Sequence, residues 1–204
     1  MFAAGLTTAE PAVAQTEDPS TATSEHSATA VAFPVFLAGA AVAFGAHESG
    51  HLLFDGLFGA HPGVKKVDFH GIPFFAITHD PGLSRRREFT IDSAGFWVQE
   101  GGDEWILTTR PALRDRHAPF LKGMMAFNVL ASVAYAGAAF ARTGPFERDT
   151  RGMAESLGWK EPVVGALILA PALLDVVRYY ERNPKWAMWA SRGAKAFSVV
   201  LILR

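Results

Sequence analysis

The chain has 204 residues, the size of one ordinary domain; 50 % of them are hydrophobic, only 19 % are charged, and the mean hydropathy is positive. That balance is unusual for a soluble domain and makes a membrane protein the first expectation. A formal net charge of −1 offers no basic face to nucleic acid, and the absence of cysteine excludes disulfides and thiolate ligands, so a metal must be held by histidine and carboxylate.

Residues 1–30 are rich in Ala, Thr, Ser and Glu, carry Glu10, Glu17, Asp18 and Glu25 without any Lys or Arg, and read as a disordered acidic tail. The A-x-A pattern closing "FAAGLTTAEPAVAQ" suits a cleavage site, but the basic n-region and long apolar core of a signal peptide are missing. From 31 to 59 the apolar run is interrupted only by His47, Glu48, Ser49, His51 and Asp55. It exceeds the roughly twenty residues that a membrane helix needs.

After this helix, "VKKVDFHGIPFFAITH" alternates in polarity around turn residues, which predicts a β-hairpin insertion. Residues 90–108 mix apolar and acidic side chains and fit a re-entrant segment or a helix packed inside a bundle. Further helices are expected at 118–141, rich in the Ala and Gly that let membrane helices approach closely, at 161–181, and at 186–203, which also suits the interface. The expected fold is an all-α membrane protein: a bundle of about four transmembrane helices with a small polar hairpin after the first, residues 31–204 forming one membrane-embedded domain. Lys65, Lys66, Arg85, Arg86 and Arg87 follow the first helix, so the positive-inside rule puts that loop in the cytoplasm and the amino terminus outside.

"AHESGHLLFD" (46–55) concentrates the chemistry. His47 and His51 are four apart, so on a helix their imidazoles project from one face and can share a metal ion. Glu48 is placed to take a proton from a water at that metal, as in the H-E-x-x-H arrangement of zinc peptidases. Ionisable groups at bilayer depth cost about 2.5 kcal/mol or more each on insertion scales, so three within five residues point to function rather than to helix packing.

A catalytic zinc centre wants three protein ligands and one open position, which leaves one ligand to find. Asp175, the only acidic residue inside the 161–181 span, is the preferred candidate; its competing role is an ion pair with Arg178. His70, His79, Asp92 and Asp55 are the alternatives. Asn128, a polar group in an apolar helix, suits either substrate binding or helix–helix hydrogen bonding. The charged run "GPFERDTRGMAE" (144–155) reads as a solvated connection.

"HESGH", "SAGFW" (93–97) and "PALLD" (171–175), in that order, resemble the three signature regions of the site-2 protease family of intramembrane zinc metallopeptidases. Val176 stands where that family has Gly after its aspartate, and Phe96 where it commonly has Pro. The resemblance implies Zn2+ held by His47, His51 and Asp175, Glu48 as general base, and a substrate contact at Ser93 and Gly95. It also implies a membrane-protein substrate, lipid surroundings in the bacterial inner membrane and a metal nearer the cytoplasmic side; the near-zero net charge gives no reason to expect a nucleic-acid partner. The rival from another class is a membrane-embedded metal-binding or scaffold protein without hydrolytic activity.

Overall fold

A computed structural model describes residues 19–69 and 72–203. Helix α1 (Pro19–Phe58) is followed by the antiparallel strands β1 (Gly63–Phe69) and β2 (Ile72–Thr78), then α2 (Arg85–Thr109), a 3-10 turn, α3 (Pro119–Ala141), α4 (Asp149–Leu157), α5 (Glu161–Tyr180) and α6 (Lys185–Val200). The architecture is helical with one hairpin, paired in register from Gly63 with Thr78 to Phe69 with Ile72. His70 lies outside the described residues, as does the part of the expected tail before Pro19. From Pro19 the chain is already helical, with proline at the first helical position, where its fixed φ fits and its missing N–H is no loss.

Helix α2 is central, packing against α1, α3, α4, α5 and α6. Its buried face carries Phe89, Ile91, Ala94, Phe96, Ile106 and Leu107 but also Ser93, Gln99 and Asp103. Glycine brings the outer helices into backbone contact: a Cβ on Gly39 would sit 2.0 Å from the Phe120 carbonyl oxygen, and one on Gly123 would sit 1.9 Å from that of Phe36. Only glycine fits at this α1–α3 crossing, the small-residue packing expected of close helices.

Among the described residues two helices, α3 and α5, are long and apolar enough to cross a membrane. Helix α6, with 16 residues, is shorter than the roughly twenty that a crossing needs.

Polar groups sit in the interior, and one set corrects the sequence expectation. The carboxylate of Asp175 accepts from Ser191 Oγ at 2.7 Å, meets Lys195 Nζ at 2.7 Å and Arg178 Nη1 at 3.2 Å, and is 1 % exposed. Arg178 continues to Glu104 on α2. Asp175 is therefore saturated by cations from α5 and α6. Removing one partner of such a buried pair costs about 3–5 kcal/mol, because the other charge is left uncompensated. Asp175→Ala is expected to lower unfolding stability on that scale, measured by denaturation in detergent, with bound metal per folded protein unchanged.

Candidate metal centre

Two turns of α1 and the first residue of α4 build the centre. His47 and His51 are 3 % and 5 % exposed, and their Nε2 atoms lie 3.2 Å apart. Asp149 Oδ2 is 3.3 Å from His47 Nε2 and 3.5 Å from His51 Nε2. A tetrahedral centre with ligand bonds of about 2.0–2.1 Å spaces its ligand atoms roughly 3.3–3.4 Å apart. Three nearly equal edges of that length form one face of such a tetrahedron. Of the described residues, these three form the group able to hold a metal ion.

The rings are set for this role. His51 Nδ1 donates to the Ile91 carbonyl oxygen on α2 at 2.7 Å, which fixes the ring with its Nε2 toward Asp149. His47 packs edge-on to Phe96 and against Tyr135, with centroids 5.3 and 6.1 Å away. Gly95 makes room for it: a Cβ there would lie 2.5 Å from His47 Nε2. Gly50 likewise lets α1 approach the Ala94 carbonyl. The Ser93–Ala94–Gly95 stretch is thus the seat on which α1 and its histidine rest, and Ser93 Oγ bonds back to the Phe89 carbonyl within α2. Gly95→Ala is expected to push the imidazole off its position and weaken metal binding by about 10–100-fold, the range for disturbed ligand support, measured by competition with a chromogenic chelator.

Asp149 arrives through a built turn. Helix α3 ends at Arg142 in the left-handed conformation (φ 53°), and Gly144 follows at φ 110°. Arg148 then pairs with both oxygens of Glu161, Nε to Oε1 and Nη2 to Oε2, each at 2.6 Å, while Thr150 Oγ1 donates to Oε1 at 2.9 Å. This fork ties the start of α4 to the start of α5 and aims Asp149 inward. Burial by itself raises the Asp149 carboxyl, but the two imidazoles outweigh it and hold the group below the usual carboxylate range, in the ionised form a metal needs.

Asp175 is elsewhere. Glu161, at the start of α5, reaches the α4 end of the centre, and Asp175 lies fourteen residues further, about 21 Å along the helix at 1.5 Å per residue. Asn128 is also apart from the centre. It donates to Asp103 Oδ1 at 2.8 Å and joins α3 to α2, the helix-bonding role of the two expected. Asp149 had no signal in the sequence beyond its charge, because it sits in the polar run taken for a connection.

A cavity of about 290 Å³ opens beside the centre, lined by Glu48, His51, Asp92, Tyr135 and Asp149, with Phe75 to Ile77 of β2 as one wall. Lys65 of β1 donates to Glu147, which lines that cavity, at 2.5 Å and thereby lowers that carboxyl below its ordinary value. No protein-family model, characterised protein or solved structure matches this chain.

Proposed function

We propose that the protein is an intramembrane zinc metallopeptidase whose metal ligands are His47, His51 and Asp149. The observation that carries this reading is the convergence of two imidazole nitrogens and one carboxylate oxygen within 3.5 Å of one another, beside a cavity that Glu48 also lines. Three protein ligands with an open side toward a cavity is the pattern of a catalytic zinc rather than a closed structural one. Two histidines and one carboxylate also serve non-haem Fe2+; the choice of Zn2+ rests on the H-E-x-x-H arrangement around the pair.

The membrane assignment rests on the distribution of polarity. Leu130 on α3, Val163 and Leu173 on α5 and Leu53 on α1 are about half exposed or more, whereas Asp103, Asn128, Asp175, Arg178 and Lys195 are buried. Apolar outside and paired charges inside is what lipid requires. The charge rule then puts the hairpin end of the bundle, and the centre with it, toward the cytoplasm.

Zinc bound at the three ligands would supply Lewis acidity, lowering the pKa of a water and polarising a scissile carbonyl. Glu48 takes the proton of the attacking water on its carboxylate and passes it to the leaving amide nitrogen. Among the described residues the sheet has two strands, which leaves the outer edge of β2 without a third, beside a cavity that β2 itself walls. An extended substrate segment adds to that edge by backbone hydrogen bonds, which also holds its amides out of the helical state that would shield them.

Metal analysis of detergent-purified protein tests the centre. His47→Ala is expected to remove one equivalent of zinc and to abolish cleavage of a co-expressed membrane protein. Unchanged zinc in that variant would overturn the assignment.

A further inference from the structure

A second cavity, about 930 Å³, lies at the end of the bundle away from the hairpin and is walled by α1, α3 and α5. Its sides are apolar: Phe33 and Phe36 of α1, Met125 and Val129 of α3, Val176 and Tyr179 of α5. Its head is cationic. Arg114 and Arg116 of the α2–α3 connection and Lys122 in the first turn of α3 line it too. None of the three has a carboxylate partner among the described residues. Lys122 Nζ donates to the Arg114 carbonyl oxygen at 2.9 Å, and the Arg114 guanidinium lies 5.2 Å from the centre of the Tyr180 ring. Asp115, the acid between the two arginines, is paired with Arg182 at 3.2 Å instead. Three cations around one end of an apolar groove are a charge that nothing on the protein balances, and a phosphate group is the anion that arginine and lysine bind together.

Depth agrees with this chemistry. Tyr179 and Tyr180 end α5, and tyrosines gather where hydrocarbon meets the headgroups. Leu130, which also lines the groove, is eight residues beyond Lys122, about 12 Å along α3. One leaflet of hydrocarbon is about 15 Å deep. The groove therefore runs from headgroup level through most of one leaflet, cations at the top and apolar side chains below. With the hairpin end toward the cytoplasm this connection lies outside, where the charge rule expects few lysines and arginines. Cations placed there serve something other than orientation.

We propose that the groove holds one phospholipid with an anionic headgroup, its phosphate on Arg114, Arg116 and Lys122 and an acyl chain along Phe33, Phe36, Met125 and Val129. The site rests on the membrane assignment and on neither the metal centre nor hydrolysis.

The test is native mass spectrometry of the detergent-purified full chain, titrated with dioleoyl phosphatidylglycerol and separately with dioleoyl phosphatidylcholine, whose choline cation offsets the phosphate. Each cation near a membrane surface strengthens binding of an anionic lipid about five-fold, so wild type is expected to retain one phosphatidylglycerol with a preference on the order of 100-fold. Arg114→Gln/Arg116→Gln/Lys122→Gln is expected to bind the two lipids equally; the three side chains are exposed or half-buried, so the fold is kept. Lys66→Gln/Arg85→Gln/Arg86→Gln, an equal loss of charge at the hairpin end, keeps the preference. Ala126→Trp fills the groove below the cations and loses both lipids. Carbonate extraction of cell membranes supplies the second measurement. Release of wild type into the soluble fraction overturns the membrane assignment and the lipid site with it. Retention in the membrane, with equal binding of the two lipids by wild type, overturns the site alone. So does a preference that survives the first triple substitution or is lost equally in the second. A dimer in place of bound lipid, abolished by Ala126→Trp, gives the groove to a second copy of the chain and likewise overturns the proposal.

Discussion

Asp149→Ala is expected to lose the metal between His47 and His51 and all cleavage with it, whereas Asp175→Asn keeps both. The contrast is large because the two aspartates occupy different physical situations. Asp149 is a carboxylate set 3.3 and 3.5 Å from two imidazole nitrogens whose own separation is 3.2 Å. Without it the centre has two ligands, fewer than any zinc site of the structural or catalytic kind. Asp175 is already bound by Ser191, Lys195 and Arg178. It has no lone pair facing the histidines, and its loss is felt as stability. Zinc content normalised to folded protein, taken together with cleavage of a co-expressed membrane substrate, separates the two effects. Retention of zinc by Asp149→Ala together with its loss in Asp175→Asn would restore the assignment that the family resemblance implies.

That assignment shows where sequence reasoning reaches its limit. His47, Glu48 and His51 were legible because their relation is local: four residues of helix fix the geometry whatever the rest of the chain does. The apolar runs at 118–141 and 161–181 became α3 and α5 within a residue or so at each end, and the alternation in 64–79 became the hairpin, since both are periodic signals over many residues. Helix α2 begins at Arg85, earlier than the apolar pattern suggested, because Ser84 caps it and the charged first turn carries no hydrophobic mark. The proposed third ligand is of another kind. Asp149 is 102 residues from His47, and only the turn fixed by Arg148 and Glu161 brings it there. Asp175 was attractive as a lone acid in an apolar helix, and its pairing with Arg178 was the competing possibility. What no local pattern could reveal was Lys195, contributed by α6, which completes the neutralisation.

Gly95 carries a similar lesson. The resemblance of "SAGFW" to a signature region implied a substrate contact at Ser93 and Gly95. The structure gives the pattern a different physical reason: Gly95 lies under the His47 ring and Gly50 over the Ala94 carbonyl, so small residues are needed for two helices to meet at the depth of the metal ligands.

Glu48→Gln is expected to keep zinc and lose cleavage by about 10²–10⁴-fold, the usual contribution of a positioned acid–base group. Glu48 follows His47 directly, so it projects about 100° around α1 from the ligand face. That offset takes it off the face of the two histidines and onto the cavity wall, where it is only partly buried and shares the lining with His51, Tyr135 and Asp149. The amide has the same shape and leaves all three ligands in place, so metal binding is preserved. It cannot accept a proton, so in the proposed mechanism the attacking water would no longer be activated nor the leaving nitrogen protonated. Glu48→Asp keeps the carboxylate but withdraws it by one methylene, and its activity should fall between wild type and the Gln variant. This ordering, Glu above Asp above Gln at constant zinc, belongs to proton transfer; a purely structural role would let Gln do better than Asp. Equal cleavage by Glu48→Gln and wild type would refute the mechanism, and a wild type that holds zinc yet cleaves no membrane substrate would assign the centre to a metal-binding scaffold.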